Sequence, residues 1–179
     1  MSLVSHHTIS LDGYVAGRDD EVEWSFEYGS ATSLATETME RIGAIVAGRR
    51  WYELARERWN GVDGIYGGAF DGEVFVLTHD PPAEPADARV RFASNGIEAA
   101  VAEASQAAAG KDVGVFGGSL TQQCLRAGLL DEIVLHVVPV LLGEGVPLFD
   151  QLGKRVELSR ISVAAAEQLT DLRFRVLAS

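Results

Sequence analysis

The chain has 179 residues, 47% of them apolar and 23% charged, a composition that fits one globular domain with room for a sizeable core. Its formal net charge of −11 argues against general binding to nucleic acid or to an anionic membrane surface. The one cysteine, Cys124, excludes an internal disulfide and fits a cytoplasmic protein, and its apolar helical spacing reads as core.

In chain order, residues 3 to 9 read as a first strand that ends at the Ser10-Leu-Asp-Gly13 turn signal. An acidic loop follows, with Asp19, Asp20, Glu21, Glu23 and Glu27 around Trp24; Trp24 and Tyr28 either cover a substrate ring or simply pack. Leu34, Ala35, Thr38, Met39 and Ile42 share one face of an amphipathic helix over Ser30 to Arg41. Gly43 to Ala47 is a short buried strand that runs directly into Gly48-Arg49-Arg50. Glycine-rich residues 60 to 72 suggest a surface excursion. Val74 to Thr78 forms a third strand, and Pro81, Pro82 and Pro85 enforce a loop after it. A short strand at Val90 and Phe92 precedes a helix capped by Ser94 or Asn95, with Ile97, Val101, Ala104 and Ala108 on its buried side and Gly110 at its end.

The stretch Val113 to Thr121 then reads as strand, glycine turn and helix N-terminus. Ser119 and Gln122 have capping-box spacing, and Gly128 stands at the C-cap position. Bare glycines beside the first N–H groups of a helix suit a phosphate, although a plain tight turn accounts for them equally well. Asp131 to Leu142 is a long apolar strand, too short and too interrupted by His136 and Pro139 to span a bilayer. Residues 156 to 166 and 171 to 177 make an antiparallel pair.

Strands alternating with helices imply a parallel sheet covered on both faces, with an antiparallel C-terminal edge. Ligands of such sheets bind beyond the carboxyl ends of the strands. Three ends carry candidate groups: Gly48-Arg49-Arg50, Thr78-His79 and Gly117-Gly118-Ser119. Arginine suits phosphate through its fork of donors, so Arg49 and Arg50 are read as ligand-binding. Arg56 and Arg58 are read as ion-paired with glutamates of a laced helix, such as Glu40, Glu53 and Glu57.

Five segments in order carry a resemblance: Ser10 to Gly17, the Gly48-Arg49 junction, Phe75 to Thr78, Phe116 to Ser119, and Gly128 to Ile133 continuing to Pro139 to Phe149. Together they resemble the dihydrofolate reductase-like superfamily, above all the reductase domain of the bifunctional riboflavin-biosynthesis protein and its stand-alone relatives. The resemblance spans nearly the whole chain and implies one domain over residues 1–179. It implies a three-layer α/β fold with a mixed, mostly parallel eight-stranded sheet, NADPH as hydride donor and a small-molecule substrate, often in a homodimer.

Carried over, Gly117, Gly118, Ser119 and Leu120 receive the pyrophosphate and nicotinamide ribose, the glycine pair often being joined by a cis peptide. Gly48 and Arg49 approach the 2′-phosphate with Arg50 as a second donor, and Thr78 and His79 flank the adenine ribose. Ser10, Asp12 and Gly13 line the substrate side. Trp51 departs from the family pattern, which has a threonine there, and Glu37 and Glu40 do not match the single helix acid of folate reductases. Asp12 is the candidate catalytic group, with a plain turn residue as the alternative, and Glu144 is a weaker substrate-side candidate. His6, His7 and His136 read as satisfied core or interface histidines, and no residue cluster has metal-ligand spacing. Pterin or folate reduction, and a non-catalytic dimeric binding protein whose cofactor cleft has decayed, stand as rivals.

Overall fold

The computed structural model describes residues 1–28, 32–82 and 87–177. Its strands are β1 (Leu3–Ser10), β2 (Tyr14–Ala16), β3 (Ile42–Gly48), β4 (Glu73–Leu77), β5 (Val90–Ala93), β6 (Asp112–Phe116), β7 (Glu132–Val138), β8 (Val146–Pro147), β9 (Leu158–Ala166) and β10 (Leu169–Val176). The helices are α1 (Ser33–Arg41), α2 (Arg49–Arg58), α3 (Ile97–Ala107) and α4 (Gly118–Ala127). Eight strands form one sheet in the order β5-β4-β3-β6-β1-β7-β10-β9, and β2 pairs with β8 in a separate two-stranded ribbon. The strands from β5 to β7 pair in parallel, whereas β10 runs antiparallel to both β7 and β9. This is the three-layer α/β architecture expected from the sequence.

Alternation along β1 divides the core. Leu3 and Ile9 pack with Val113, Val115, Ile133 and Leu135 under α3 and α4. On the other face, Ile45, Ala47, Val74 and Val76 pack under α2 and a 3-10 run at Gly61–Gly68. That run corrects the expected surface excursion. Val62, Ile65 and Phe70 are buried, and left-handed residues such as Tyr66 hide the helical period from a pattern reading.

Several element ends differ from expectation. Strand β7 stops at Val138 because Pro139 has no N–H for the ladder. Helix α1 begins at Ser33, where the Thr32 hydroxyl accepts the Ala35 N–H, and Ser30 lies outside the described residues. Helix α3 is entered through Gly96, not through a side-chain cap from Ser94 or Asn95. At the amino ends of the strands, Arg41 donates to Asp112 and Glu132, and Arg173 donates to Glu132 and Glu37, so this edge is closed by paired charge. Among the described residues, no helix is long and apolar enough to cross a membrane.

Candidate functional site

At the opposite edge, the carboxyl ends of β4, β3 and β6 stand side by side. Gly48 is in register with Leu77, and Ala47 with Phe116, so Thr78, Gly48-Arg49 and Gly117 form one row. The row gathers most of the predicted cofactor residues. The Arg49 guanidinium reaches the Thr78 hydroxyl at 3.5 Å and the Asp80 carbonyl, and also holds Glu53 at 2.6 Å. His79 is exposed immediately beyond Thr78.

Helix α4 starts from Gly117, whose φ of +101° favours glycine, and no side chain caps it. Its first-turn N–H groups therefore remain open to a ligand. Gly118 has a different reason to be glycine: a Cβ there would lie 2.7 Å from the Pro147 carbonyl. The expected capping box is absent. Ser119 lies one residue inside the helix, and Gln122 instead donates to the Leu148 carbonyl at 3.0 Å. Leu120 is core, so only its backbone faces the row. Among the described residues all peptide bonds are trans, including Gly117–Gly118.

Arg50 turns away from this row. It forms an ion pair with Asp20, while Arg58 donates to the Asp20 carbonyl and to Glu23, so the basic helix clamps the acidic loop. The second-donor role expected for Arg50 is thereby corrected, and the partners of Arg58 lie in that loop, not on its own helix.

The substrate-side candidates form a staple between loops. Asp12 accepts from the Ser10 hydroxyl at 2.6 Å, from the Gly143 N–H at 2.8 Å and from the Leu142 N–H at 3.2 Å. These bonds, the Ser10 hydroxyl first, hold its carboxyl below the usual range, so it is a poor proton donor. The catalytic role expected for Asp12 thus gives way to loop ordering. Ser10 is buried and also accepts the Tyr14 N–H, and Gly13 closes the turn on the Ser10 carbonyl. Glu144 is paired with Arg18 at the surface. None of the four lines the cavity described next.

A cavity of about 570 Å³ lies beside the row, on the α1 and α2 face of the sheet. His6 and Thr8 of β1, Phe116 of β6 and His136 of β7 form its sheet side. Ala35, Thr36 and Met39 of α1 cover it together with Ser25 and Phe26. Trp51, Trp59 and Tyr66 complete an aromatic wall, and among the described residues no lysine, arginine, aspartate or glutamate lines it. Trp51 meets Phe116 edge-on with centroids 5.1 Å apart, and a Cβ on Gly117 would lie 3.9 Å from that of Trp51. The departure from the family pattern thus forms the partition between cavity and glycine turn. Trp24 packs against Val138 and Leu169 and does not line the cavity.

The histidines divide. His7 points to the other face, bonds Thr121 at 3.1 Å and is a satisfied core histidine as expected. His6 and His136 line the cavity and were missed as site residues. The legible signal was period two: His6, Thr8 and Ser10 share one face of a buried strand, an unusual run of polar groups.

The topology and the row of strand ends define a domain of the dihydrofolate reductase-like fold, and the comparisons agree. The structure superposes on dihydrofolate reductase from Enterococcus faecalis, solved with NADP(H), with a TM-score of 0.66 at 12% identity over 98% of this chain and 96% of that one. A protein from Shewanella sp. PV-4 whose name assigns it to riboflavin biosynthesis matches with a TM-score of 0.84 at 24% identity, over 99% and 100% of the two chains. The family model of the RibD C-terminal domain matches residues 2–171, and the chain belongs to that family. It is also similar to the uncharacterised protein YwjB of Bacillus subtilis strain 168, 27% identical over 87% of this chain and 86% of that one.

Proposed function

We propose that the protein is a cytoplasmic, NADPH-dependent reductase of the riboflavin-reductase type that acts, as a stand-alone relative, on a planar, uncharged heterocycle. The observation that carries this reading is the row of Arg49, Thr78 and the uncapped start of α4, set against an aromatic cavity without a charged wall. The residues fit the cofactor. Arg49 and Thr78 would hold the 2′-phosphate end, and the first N–H groups of α4 would hold the pyrophosphate. Bound there, NADPH would supply the hydride. The chain's part is to orient the ring between aromatic walls and to exclude water.

Among the described residues no cationic side chain lines the cavity, which weighs against a phosphoribosyl substrate. Folate reduction is disfavoured because α1 presents Ala35, Thr36 and Met39 to the cavity, while Glu37 is bound to Arg173 at the far edge. NADPH is expected to quench tryptophan fluorescence saturably through Trp51. Arg49→Ala should weaken NADPH roughly 10- to 100-fold, the worth of a charge-assisted hydrogen bond, and leave NADH unchanged. Absence of any response at millimolar NADPH would discard the reductase and favour a binding protein whose cofactor approach is filled by Trp51.

We also propose a homodimer. Strand β9 is an open edge with Leu158, Ile161 and Val163 all at least 40% exposed. A monomeric mass by light scattering would overturn it.

A further inference from the structure

Four polar side chains behind and beside the cavity, His136 and Asp171 buried and His6 and Tyr66 half-buried, form one unbroken hydrogen-bonded line. Tyr66 Oη lies 2.7 Å from His6 Nδ1, His6 Nε2 lies 2.7 Å from His136 Nε2, and His136 Nδ1 lies 2.6 Å from Asp171 Oδ1. Only the first three face the cavity; Asp171 is 2% exposed beneath His136.

A single assignment satisfies the line when both rings are neutral. Tyr66 O–H donates to His6 Nδ1, His6 Nε2–H donates to His136 Nε2, and His136 Nδ1–H donates to the Asp171 carboxylate. One added proton reverses it. His136 then carries protons on both nitrogens, its Nε2–H points to a bare His6 Nε2, His6 Nδ1–H points to the tyrosine oxygen, and the Tyr66 hydroxyl hydrogen is released toward the cavity. The added positive charge is balanced by Asp171.

The backbone reinforces this reading. Tyr66 sits at φ +52°, a left-handed conformation that bulky residues avoid, and the surrounding 3-10 run keeps its hydroxyl on His6. Burial keeps the Tyr66 hydroxyl protonated. Burial first, then His136 and His7, lowers the affinity of His6 for a proton, so the His6 ring rests neutral. Among the described residues no other titratable side chain faces the pair across the cavity: α1 offers Thr36 and Met39, α2 and its C-cap offer Trp51 and Trp59, and His7 lies on the opposite face.

We propose that the Tyr66–His6–His136–Asp171 line is the proton source of the reduction, an assignment that rests on the reductase reading. The line first takes up one proton from cavity water; with the reduced nicotinamide cofactor bound to supply a hydride to the carbon of a C=N or C=O bond, the substrate nitrogen or oxygen would take the Tyr66 hydroxyl proton. The His6 Nδ1 proton passes to the tyrosine oxygen, and the His136 Nε2 proton passes to His6 Nε2. The line returns to its resting arrangement, and the substrate has gained one hydride, which carries both electrons, and one proton.

The test has two arms. Nitrogen-15 NMR of the histidine rings, without substrate, is expected to show His6 protonated at Nε2 and His136 at Nδ1. Asp171→Asn, whose amide can offer either an acceptor or a donor, should turn the single His136 tautomer into a mixture. The opposite tautomers in the unaltered chain, or an unchanged His136 tautomer in Asp171→Asn, would overturn the proposal.

In the second arm, NADPH oxidation is followed with 7,8-dihydropterin and with 5-amino-6-(5-phosphoribosylamino)uracil. Tyr66→Phe, checked for an unchanged melting temperature and NADPH affinity, should lower kcat at least 100-fold and abolish the solvent isotope effect. A kcat within threefold of the unaltered chain would overturn the relay and leave the reductase standing. An unaltered chain that neither binds NADPH nor oxidises it would overturn the reductase reading instead, whatever the NMR shows.

Discussion

His6 and His7 are chain neighbours on a central strand, and they have opposite fates. His7 faces α4, where a single hydroxyl satisfies it within packed aliphatic residues. His6 faces α1 and the 61–68 run, where the same residue type joins a line of four polar groups at the wall of a cavity. The two faces of one sheet thus divide the labour. One is filled throughout, and the other, packed under α2 at its outer strands, is left partly empty over β1 and β7, as a binding site requires.

The sharpest way to break this contrast is to compare truncations on the two faces. Leu125→Ala, at a position 4% exposed under α4, is expected to cost about 2 to 5 kcal/mol by urea denaturation. Thr36→Ala at the cavity should stay within about 0.5 kcal/mol. Similar losses at both would mean that the cavity face bears as much load as the packed one.

A smaller effect separates the histidines by pH. Burial pushes the His7 imidazole down to about 4, below the value of about 6.5 for an unfolded chain. The unfolded state therefore takes up its proton first as pH falls. Stability should drop by about 3 kcal/mol between pH 6.5 and 4, on the His7 account alone, and be unaffected above that window. His7→Asn should remove this share of the slope in pH-dependent denaturation, and the part that remains belongs to the His6 side. An unchanged slope would show that His7 is already charged or solvated in the folded protein.

Much of the fold was readable because its signals are local. Apolar runs closed by glycine placed β3 and β6, and alternation placed β10. The row of strand ends was readable for the same reason, since a parallel sheet puts its carboxyl ends, here Gly48-Arg49 and Gly117-Gly118, along one edge. The polar line was not. Tyr66, His6, His136 and Asp171 come from four elements, and their partnerships span 60, 130 and 35 positions with no shared motif. The 61–68 run was read as a loop because left-handed residues break the helical period. Arg50 was assigned to a ligand because its true partner, Asp20, lies 30 positions upstream in a loop with no periodicity to register. Ser119 was read as a cap because a serine three residues before a glutamine fits the pattern, although the turn needed the glycine before it.

The one thiol of the protein sits on the filled face. Cys124 is wholly enclosed between α4 and the sheet, and burial pushes its thiol up to about 12, so almost no thiolate exists at neutral pH. An alkylating reagent meets it only when that helix lifts away. The speed of labelling thus clocks how often the molecule opens, with no reporter group to install.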